Sequence, residues 1–145
     1  MPRPYASGIV AASADEVWAR IRAFGDLPAF APAIGHAELV EGVDGQVGAV
    51  RRLTFAAGGD PFDERLLALD DPGRSLTYAF DGANPFGVRR YVSTVRVCPI
   101  TDTGEAFVEW WAEYDADADQ VAKLDRTFAE DVYAGGIAGL RKLLA

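Results

Sequence analysis

Two ionisable residues, Arg51 and Glu64, are the strongest candidates in this sequence for acid–base chemistry. Each lies in a segment with the alternating polarity of a β-strand, so the two faces of the strand can be assigned. Glu64 shares its face with Phe62, and Arg51 shares its face with Leu53 and Phe55. We therefore predict that both side chains point inward, where Arg51 could compensate the charge of Glu64 and Glu64 could transfer protons.

Hydroxyl and aromatic side chains fall on the same predicted inner face in later strands. The clearest are Tyr78, Tyr91, Ser93 and Trp110. Together with Arg51 and Glu64 they are more polar groups than a dry core usually contains. They therefore favour a mostly apolar pocket in which a few polar groups orient a ligand. The alternative is a structural ion pair surrounded by hydroxyls that satisfy one another.

Other chemistries have few candidate residues. His36 is the only histidine and stands at a strand start without a nucleophile nearby, which favours a surface or capping role. Cys98 is the only cysteine, so it can form neither an intramolecular disulfide nor a cysteine zinc site. Gly58 and Gly59 lack the lysine and the following helix of a phosphate-binding loop. We expect no metal and no cofactor.

The net charge of −8 over 145 residues bears on the partners. An acidic surface repels phosphates, which argues against nucleic acids and anionic membranes. The N-terminus lacks the apolar segment of a signal peptide, and no apolar run is long enough for a bilayer. We expect one domain over residues 1–145 in a reducing cytoplasm, with a small apolar or aromatic molecule as partner. The outward Trp111 leaves monomer and homodimer open.

The elements that must position these residues follow from turn and cap signals. A strand over 5–11 precedes a helix that begins with a capping box at Ser13–Glu16 and ends at Gly25. A second short helix is expected near 26–28. Six further strands are separated by clusters of Gly, Pro and Asp, and short turns between them indicate an antiparallel meander. These strands are predicted over 36–41, 47–56, 62–69, 75–81, 88–98 and 105–115.

A long helix is predicted over about 117–144, with Phe128 and Val132 in its apolar stripe. The apolar face of one curved sheet can be buried only against this one long helix, which gives an α+β fold. A cavity is expected where the sheet and the helix diverge. Gly135, Gly136 and Gly139 interrupt this helix. They allow either close backbone packing or space for a ligand.

The order of elements resembles the START-like (SRPBCC) helix-grip superfamily, which includes the birch-pollen allergen class and the plant abscisic-acid receptors. The pattern is closest to bacterial polyketide cyclase/dehydrase-type domains. The motifs that carry the resemblance are Asp63-Glu64-Arg65-Leu66, Leu69-Asp70-Asp71, Tyr91-Val92-Ser93-Thr94-Val95 and Thr127-Phe128-Ala129. The resemblance implies a seven-stranded helix-grip fold with two short helices and an internal cavity.

It also implies positions for a site. Glu64, Tyr91 and Ser93 match cavity-lining positions of the plant receptors. Further implied lining positions are Arg51, Leu53, Phe55, Tyr78, Trp110, Phe128, Val132 and Gly136. The loop 56–61 resembles a mobile gate, and Phe86-Gly87-Val88 resembles a second entrance loop. The lysine that holds the ligand carboxylate in the receptors falls near Pro32, which argues against a hormone-receptor role.

Two functions fit this site. The first is a cofactor-independent cyclase, dehydratase or related lyase for a polyketide-like substrate. Glu64 would be the general acid/base there, and Tyr78 or Tyr91 would donate to a developing oxyanion. The second is a non-catalytic carrier in which Arg51 and Glu64 fix the polar end of an apolar ligand. In both, the wall would include Phe55, Phe62, Phe80, Phe86, Trp110 and Phe128.

Overall fold

The computed structural model describes residues 3–145 and contains a seven-stranded antiparallel sheet around a long C-terminal helix. The strands are β1 (Tyr5–Val10), β2 (Ile34–Glu41), β3 (Val50–Phe55), β4 (Phe62–Asp70), β5 (Ser75–Phe80), β6 (Arg90–Pro99) and β7 (Ala106–Asp115). Their order is β1-β7-β6-β5-β4-β3-β2. Strands β2 to β7 form the predicted meander, and β1 closes the sheet beside β7. The predicted α+β helix-grip fold is confirmed.

Two short helices connect β1 to β2. Helix α1 (Ala14–Arg22) begins at Ser13, whose hydroxyl accepts a hydrogen bond from the amide of Glu16 at 3.2 Å. The second is a 3₁₀ helix (Phe24–Ala29) that starts earlier than predicted. It contains Pro28, which has no amide hydrogen to donate within a helix. Both helices bury their apolar side chains against the sheet.

Strand β4 departs from the predicted alternation after Leu66. The pairing with β5 shifts between Leu66 and Ala68, so two residues of β4 occupy the space of one. Ala68, predicted to face inward, is therefore exposed, and Leu69 packs against the core instead. Glu64 lies before this shift and keeps its inward orientation.

The long helical segment combines three geometries. An α-helix, α2 (Val121–Arg126), runs into a π-helix (Thr127–Ala134) and then into α3 (Gly135–Leu143). The wider π turn places Tyr133, five residues after Phe128, in a fully buried position. The predicted stripe passed through Val132, which is only half-buried. No helix within residues 3–145 is both long and apolar enough to cross a bilayer.

The outer face of β7 is covered in part by β1. Tyr5 stacks on Trp111 with ring centroids 6.5 Å apart, and its hydroxyl donates to Glu109 at 2.7 Å. Arg96 donates through Nε to the same carboxylate at 2.8 Å. Glu109 is therefore a buried, paired carboxylate on the side of the sheet away from the long helix.

Candidate functional site

A cavity lies between the inner face of the sheet and the long helix. Most of its wall is apolar, and it is formed by Leu27, Ala31, Ala33, Ile34, Leu53, Phe55, Phe62, Glu64, Tyr78, Phe80, Phe86, Tyr91, Trp110, Phe128 and Val132. The side chains from β3 to β7 point inward because strand alternation puts every second residue on this face. Leu27 comes from the 3₁₀ helix, Ile34 begins β2, and Ala31 and Ala33 lie in the connection between these two elements.

The cavity is narrow. Its volume is only about 30 Å³. Roughly 10–15 Å³ of such space suffices for one water molecule. A ring-containing ligand therefore requires a wall side chain to move.

Phe86 is the wall side chain best placed to move, because it lies on a loop and is only half-buried. Its ring lies 4.8 Å from that of Phe128 and 5.7 Å from those of Phe55 and Phe80, measured between centroids. Asn84 fixes the backbone of this loop, since its Oδ1 accepts from the Phe86 amide at 3.0 Å. The facing loop 56–61 is exposed throughout.

Arg51 and Glu64 are directly paired across β3 and β4. The Arg51 Nε and Nη2 atoms both donate to Glu64 Oε1, at 2.9 and 2.7 Å. Arg51 Nη1 donates to the backbone carbonyl of Phe24 at 3.0 Å. The guanidinium carbon lies 3.9 Å from the Phe24 ring centroid and 4.7 Å from that of Tyr78. Arg51 is thus enclosed by protein groups and does not line the cavity.

The other carboxylate oxygen of Glu64, Oε2, remains open to the cavity. It takes part in no hydrogen bond within residues 3–145, because both Arg51 donors meet Oε1. No fully enclosed side-chain oxygen or nitrogen in that range lacks a partner, so Oε2 must contact open space. Glu64 is only 5 % exposed and lines the cavity, so the open space that Oε2 contacts is the cavity.

Burial raises the pKa of Glu64, and the charge and hydrogen bonds of Arg51 only partly oppose this shift. Removing a carboxylate from water disfavours its charged form, whereas a neighbouring guanidinium favours it. The two effects place the carboxyl closer to neutrality than an exposed glutamate, which suits proton transfer.

A buried hydrogen-bond network adjoins this carboxylate. The Trp110 indole N–H lies 3.0 Å from the Tyr78 oxygen and 3.1 Å from Ser93 Oγ. Ser93 Oγ also contacts the Tyr133 oxygen at 3.3 Å, and the Tyr133 and Tyr91 hydroxyls are hydrogen-bonded to each other. The Tyr133 ring stacks on Trp110 with centroids 5.1 Å apart.

The backbone carbonyl of Trp111 anchors this network. Ser93 Oγ donates to it at 3.0 Å, and the same hydroxyl is the donor toward the Tyr133 oxygen at 3.3 Å. Either hydroxyl can be the donor in the bond between Tyr91 and Tyr133. The Tyr78 oxygen accepts from the Trp110 indole N–H, and the Tyr78 hydroxyl also interacts with Ser93.

Burial keeps these hydroxyls neutral. It raises the pKa of Tyr78 to about 12 and raises the pKa values of Tyr91 and Tyr133 well above the ordinary value of 10.0. The negative charge of Glu64 acts in the same direction. The tyrosines are therefore hydrogen-bonding groups at neutral pH and not bases.

Three predicted site residues do not line the cavity. Arg51 lies behind Glu64, and Ser93 lies behind Trp110 within the network. Gly136 packs against Trp110, because a Cβ atom there would lie 2.6 Å from an atom of the indole ring. Gly139 likewise approaches the Phe30 backbone closely. Close packing, not ligand space, explains these two glycines.

Tyr133 is the functional candidate that the sequence pattern missed. With 3.6 residues per turn, Val132 would lie on the same face of the helix as Phe128. The π-helix places Tyr133 on that face instead. The five-residue step from Val132 to Ile137 in the predicted stripe was the available signal of a wider turn.

The remaining chemical candidates lie away from the cavity. His36 is exposed, and Cys98 is half-buried on the outer face of β6. In the described range 3–145, no three His, Cys, Asp or Glu side chains are grouped so that they could hold a metal ion.

A curved antiparallel sheet that grips a long helix around an aromatic cavity defines a helix-grip protein. The chain belongs to the polyketide cyclase / dehydrase and lipid transport family, whose sequence pattern matches residues 1–145. The resemblance to the START-like superfamily is thereby confirmed. A comparison with curated proteins gives no match.

Solved structures with the same fold support this assignment. The protein XoxI from Bacillus cereus is 30 % identical over 99 % of this chain and 96 % of its own, with a TM-score of 0.87. The di-domain ARO/CYC BexL from the BE-7585A biosynthetic pathway is 23 % identical over 98 % of this chain and 46 % of its own, with a TM-score of 0.79. Norcoclaurine synthase from Thalictrum flavum, in complex with dopamine and hydroxybenzaldehyde, is 22 % identical over 97 % of this chain and 84 % of its own, with a TM-score of 0.74. The last two share the fold alone.

Proposed function

We propose that this protein binds a small apolar or aromatic, polyketide-like molecule in its cavity and acts on it as a cyclase or dehydratase. Glu64 is the group that transfers the proton. The observation that carries this proposal is the open Oε2 atom of a buried carboxylate whose other oxygen is held by Arg51. A structural ion pair alone would not require one oxygen to face a cavity.

The chemistry can be written for a β-hydroxy carbonyl substrate. Glu64 Oε2 removes a proton from the carbon next to the carbonyl, and the Tyr78 hydroxyl donates to the oxygen on which negative charge develops. The electron pair then forms the carbon–carbon double bond as the carbon–oxygen bond breaks. The hydroxyl leaves as water with the proton that Glu64 had taken.

Relatives of the same fold are compatible with such chemistry. The family description includes cyclases and dehydrases, and BexL is an aromatase/cyclase-type protein by its name. Norcoclaurine synthase holds two aromatic molecules on the same architecture. The shared fold supports an aromatic ligand, and the proposed mechanism rests on the residues of this cavity.

A non-catalytic carrier is the second candidate, and one observation favours it. Arg51 donates twice to Glu64 and stabilises the carboxylate, which suits a fixed polar anchor. The family description also includes lipid transport. In a carrier, Glu64 would bind the ligand and never exchange a proton with it.

Glu64→Gln separates the two candidates, with Glu109→Gln as the matched control. Both residues are buried carboxylates paired with an arginine, but Glu109 lies outside the cavity. The probe is the aldol of benzaldehyde and acetone, whose dehydration gives the conjugated enone benzalacetone and is followed by absorbance. An enzyme loses turnover in Glu64→Gln and retains binding of the probe, whereas Glu109→Gln keeps both.

The other outcomes are equally informative. Binding without turnover in the unaltered protein supports the carrier, as does equal loss of binding in Glu64→Gln. Full activity in Glu64→Gln would show that another group transfers the proton. Breaking one side of a buried ion pair can cost roughly 3–5 kcal/mol of stability. The double variant Arg51→Met/Glu64→Gln, which leaves no unpaired charge, therefore repeats the test.

A further inference from the structure

The polar atoms of the cavity wall differ in what they offer a ligand. Glu64 Oε2 is an acceptor without a donor within residues 3–145. The wall therefore presents an acceptor that a ligand can satisfy only by bringing a proton of its own.

Positive charge is not available to balance an anionic ligand. Arg51 is only 3 % exposed, and three of its N–H groups are directed to Glu64 and Phe24. Its guanidinium carbon also lies 3.9 Å from the ring centroid of Phe24 and 4.7 Å from that of Tyr78. A carboxylate beside the open Glu64 oxygen would find no donor there, so it would be buried without a hydrogen bond or a counter-charge.

A cation is not favoured either, because Arg51 already neutralises Glu64 at 2.7 Å. The rest of the wall is aromatic and aliphatic, with Phe80 stacked on Tyr91 at 4.2 Å between centroids. Such a wall suits a flat uncharged ring system. The Tyr78 hydroxyl on the same wall can donate as well as accept, so it is compatible with a ligand hydroxyl that donates to Glu64.

We propose that the cavity selects an uncharged aromatic molecule bearing a free hydroxyl, which donates to Glu64 Oε2, and that it rejects carboxylates. This inference rests on the proposed binding function. It differs from the expectation that Arg51 and Glu64 together hold the polar end of a ligand, because Glu64 alone reaches it.

Four probes with one ring system test this selectivity on the unaltered chain at neutral pH. They are naphthalene, and naphthol, methoxynaphthalene and naphthoate substituted at the same ring position. Affinities are measured by titration calorimetry. Naphthol is expected to bind about tenfold or more tightly than methoxynaphthalene, since only naphthol donates to a charged acceptor. Naphthoate is expected to bind at least about tenfold more weakly than naphthol, as measured by the ratio of the two dissociation constants.

The naphthalene measurement distinguishes a failure of this inference from a failure of the binding function on which it rests. If naphthalene binds but naphthol gains nothing over methoxynaphthalene, the hydroxyl selectivity is wrong and the binding function stands. Tightest binding of naphthoate, or of naphthylmethylammonium as a cationic probe, would also overturn it. If none of the probes binds, the proposed binding function fails and this inference fails with it.

Variants locate the selectivity at Glu64. The double variant Arg51→Met/Glu64→Gln is expected to reduce the preference for naphthol over methoxynaphthalene to less than about threefold, because the charged acceptor is gone. Glu109→Gln is expected to keep the full preference, since it lies on the outer face. An unchanged preference in the double variant would assign the hydroxyl contact to another residue.

Discussion

The hydroxyl groups of Tyr91 and Tyr133 are hydrogen-bonded to each other inside the protein, although the residues lie 42 positions apart in the chain. Tyr91 lies on β6 and lines the cavity, whereas Tyr133 lies on the π-helix and is fully buried. Their proton chain continues through Ser93 to the backbone carbonyl of Trp111. The π-helix thereby supplies the buried hydrogen-bond partner of a tyrosine on the cavity wall.

Tyr133→Phe should destabilise the protein by about 1–3 kcal/mol, because Tyr91 and Ser93 each lose a buried partner. The loss is measured as the change in the free energy of unfolding in urea. The same change frees the Tyr91 hydroxyl from Tyr133, so that it can donate to a ligand oxygen in the cavity. We therefore expect the preference for naphthol over methoxynaphthalene to fall.

Tyr114→Phe is the matched control for this prediction. The Tyr114 hydroxyl is bonded to Asp125 at 2.7 Å and to the Val121 carbonyl at 3.1 Å, away from the cavity wall. It should lower stability while leaving ligand preference unchanged. If both variants alter the preference equally, the role of Tyr133 is merely structural.

Gly136→Ala and Gly135→Ala should have opposite effects on stability. Alanine favours a helix interior by roughly 0.8–1.0 kcal/mol over glycine, and this gain applies to both sites. A Cβ at Gly135 would meet only the Glu130 carbonyl at 3.7 Å, an ordinary contact. A Cβ at Gly136 would lie 2.6 Å from the Trp110 indole and displace it. Thermal unfolding should rise in the first variant and fall in the second, and a gain in both would contradict the packing role of Gly136.

Phe86→Ala should open the cavity. Removing this ring takes away its contacts with Phe55, Phe80 and Phe128, so naphthol should associate faster in stopped-flow fluorescence. Phe107→Ala is the control, because Phe107 is also half-buried but lies outside the cavity wall. An unchanged association rate in Phe86→Ala would place the route to the cavity elsewhere.

Glu64 should make stability fall as pH rises. Burial raises its pKa in the folded protein above the ordinary value of 4.5. Between these two values the folded chain binds more protons than the unfolded chain, so the free energy of unfolding decreases with pH. The contribution of Glu64 is therefore fully present below 4.5 and lost above the raised pKa.

The tyrosine hydroxyls close to this carboxyl keep their protons in that window, because burial raises the pKa values of Tyr78, Tyr91 and Tyr133 above 10.0. Urea unfolding at several pH values, compared between the unaltered protein and Glu64→Gln, isolates the effect. The difference in unfolding free energy should decrease as pH rises.

Glu109 provides a control of opposite sign. Burial raises its pKa, but hydrogen bonds from Tyr5 and Arg96 outweigh this and hold the pKa below the ordinary value of 4.5. Its stabilisation should be present above 4.5 and lost as pH falls through the lowered pKa. The difference between the unaltered protein and Glu109→Gln should therefore increase with pH, and equal slopes for both variants would contradict the assignment.

The sequence alone was sufficient to predict the strands, the inward orientation of Arg51 and Glu64, and the packing of the curved sheet around one long helix. Alternation with a period of two is a local property, so it can be followed along each strand without knowledge of its partners. Turn residues between the strands determined the antiparallel order for the same reason. The motif around Glu64 then indicated the superfamily.

Only the tertiary structure determined the chemistry of the cavity. The shift in β4 after Leu66 and the π turn that buries Tyr133 both interrupt a regular period, and such interruptions depend on packing between distant segments. Which oxygen of Glu64 is open, and which residue is the partner of the Tyr91 hydroxyl, depend on hydrogen bonds between residues far apart in the chain. Each donor and acceptor has limited capacity, so these pairings emerge only when all partners are in place.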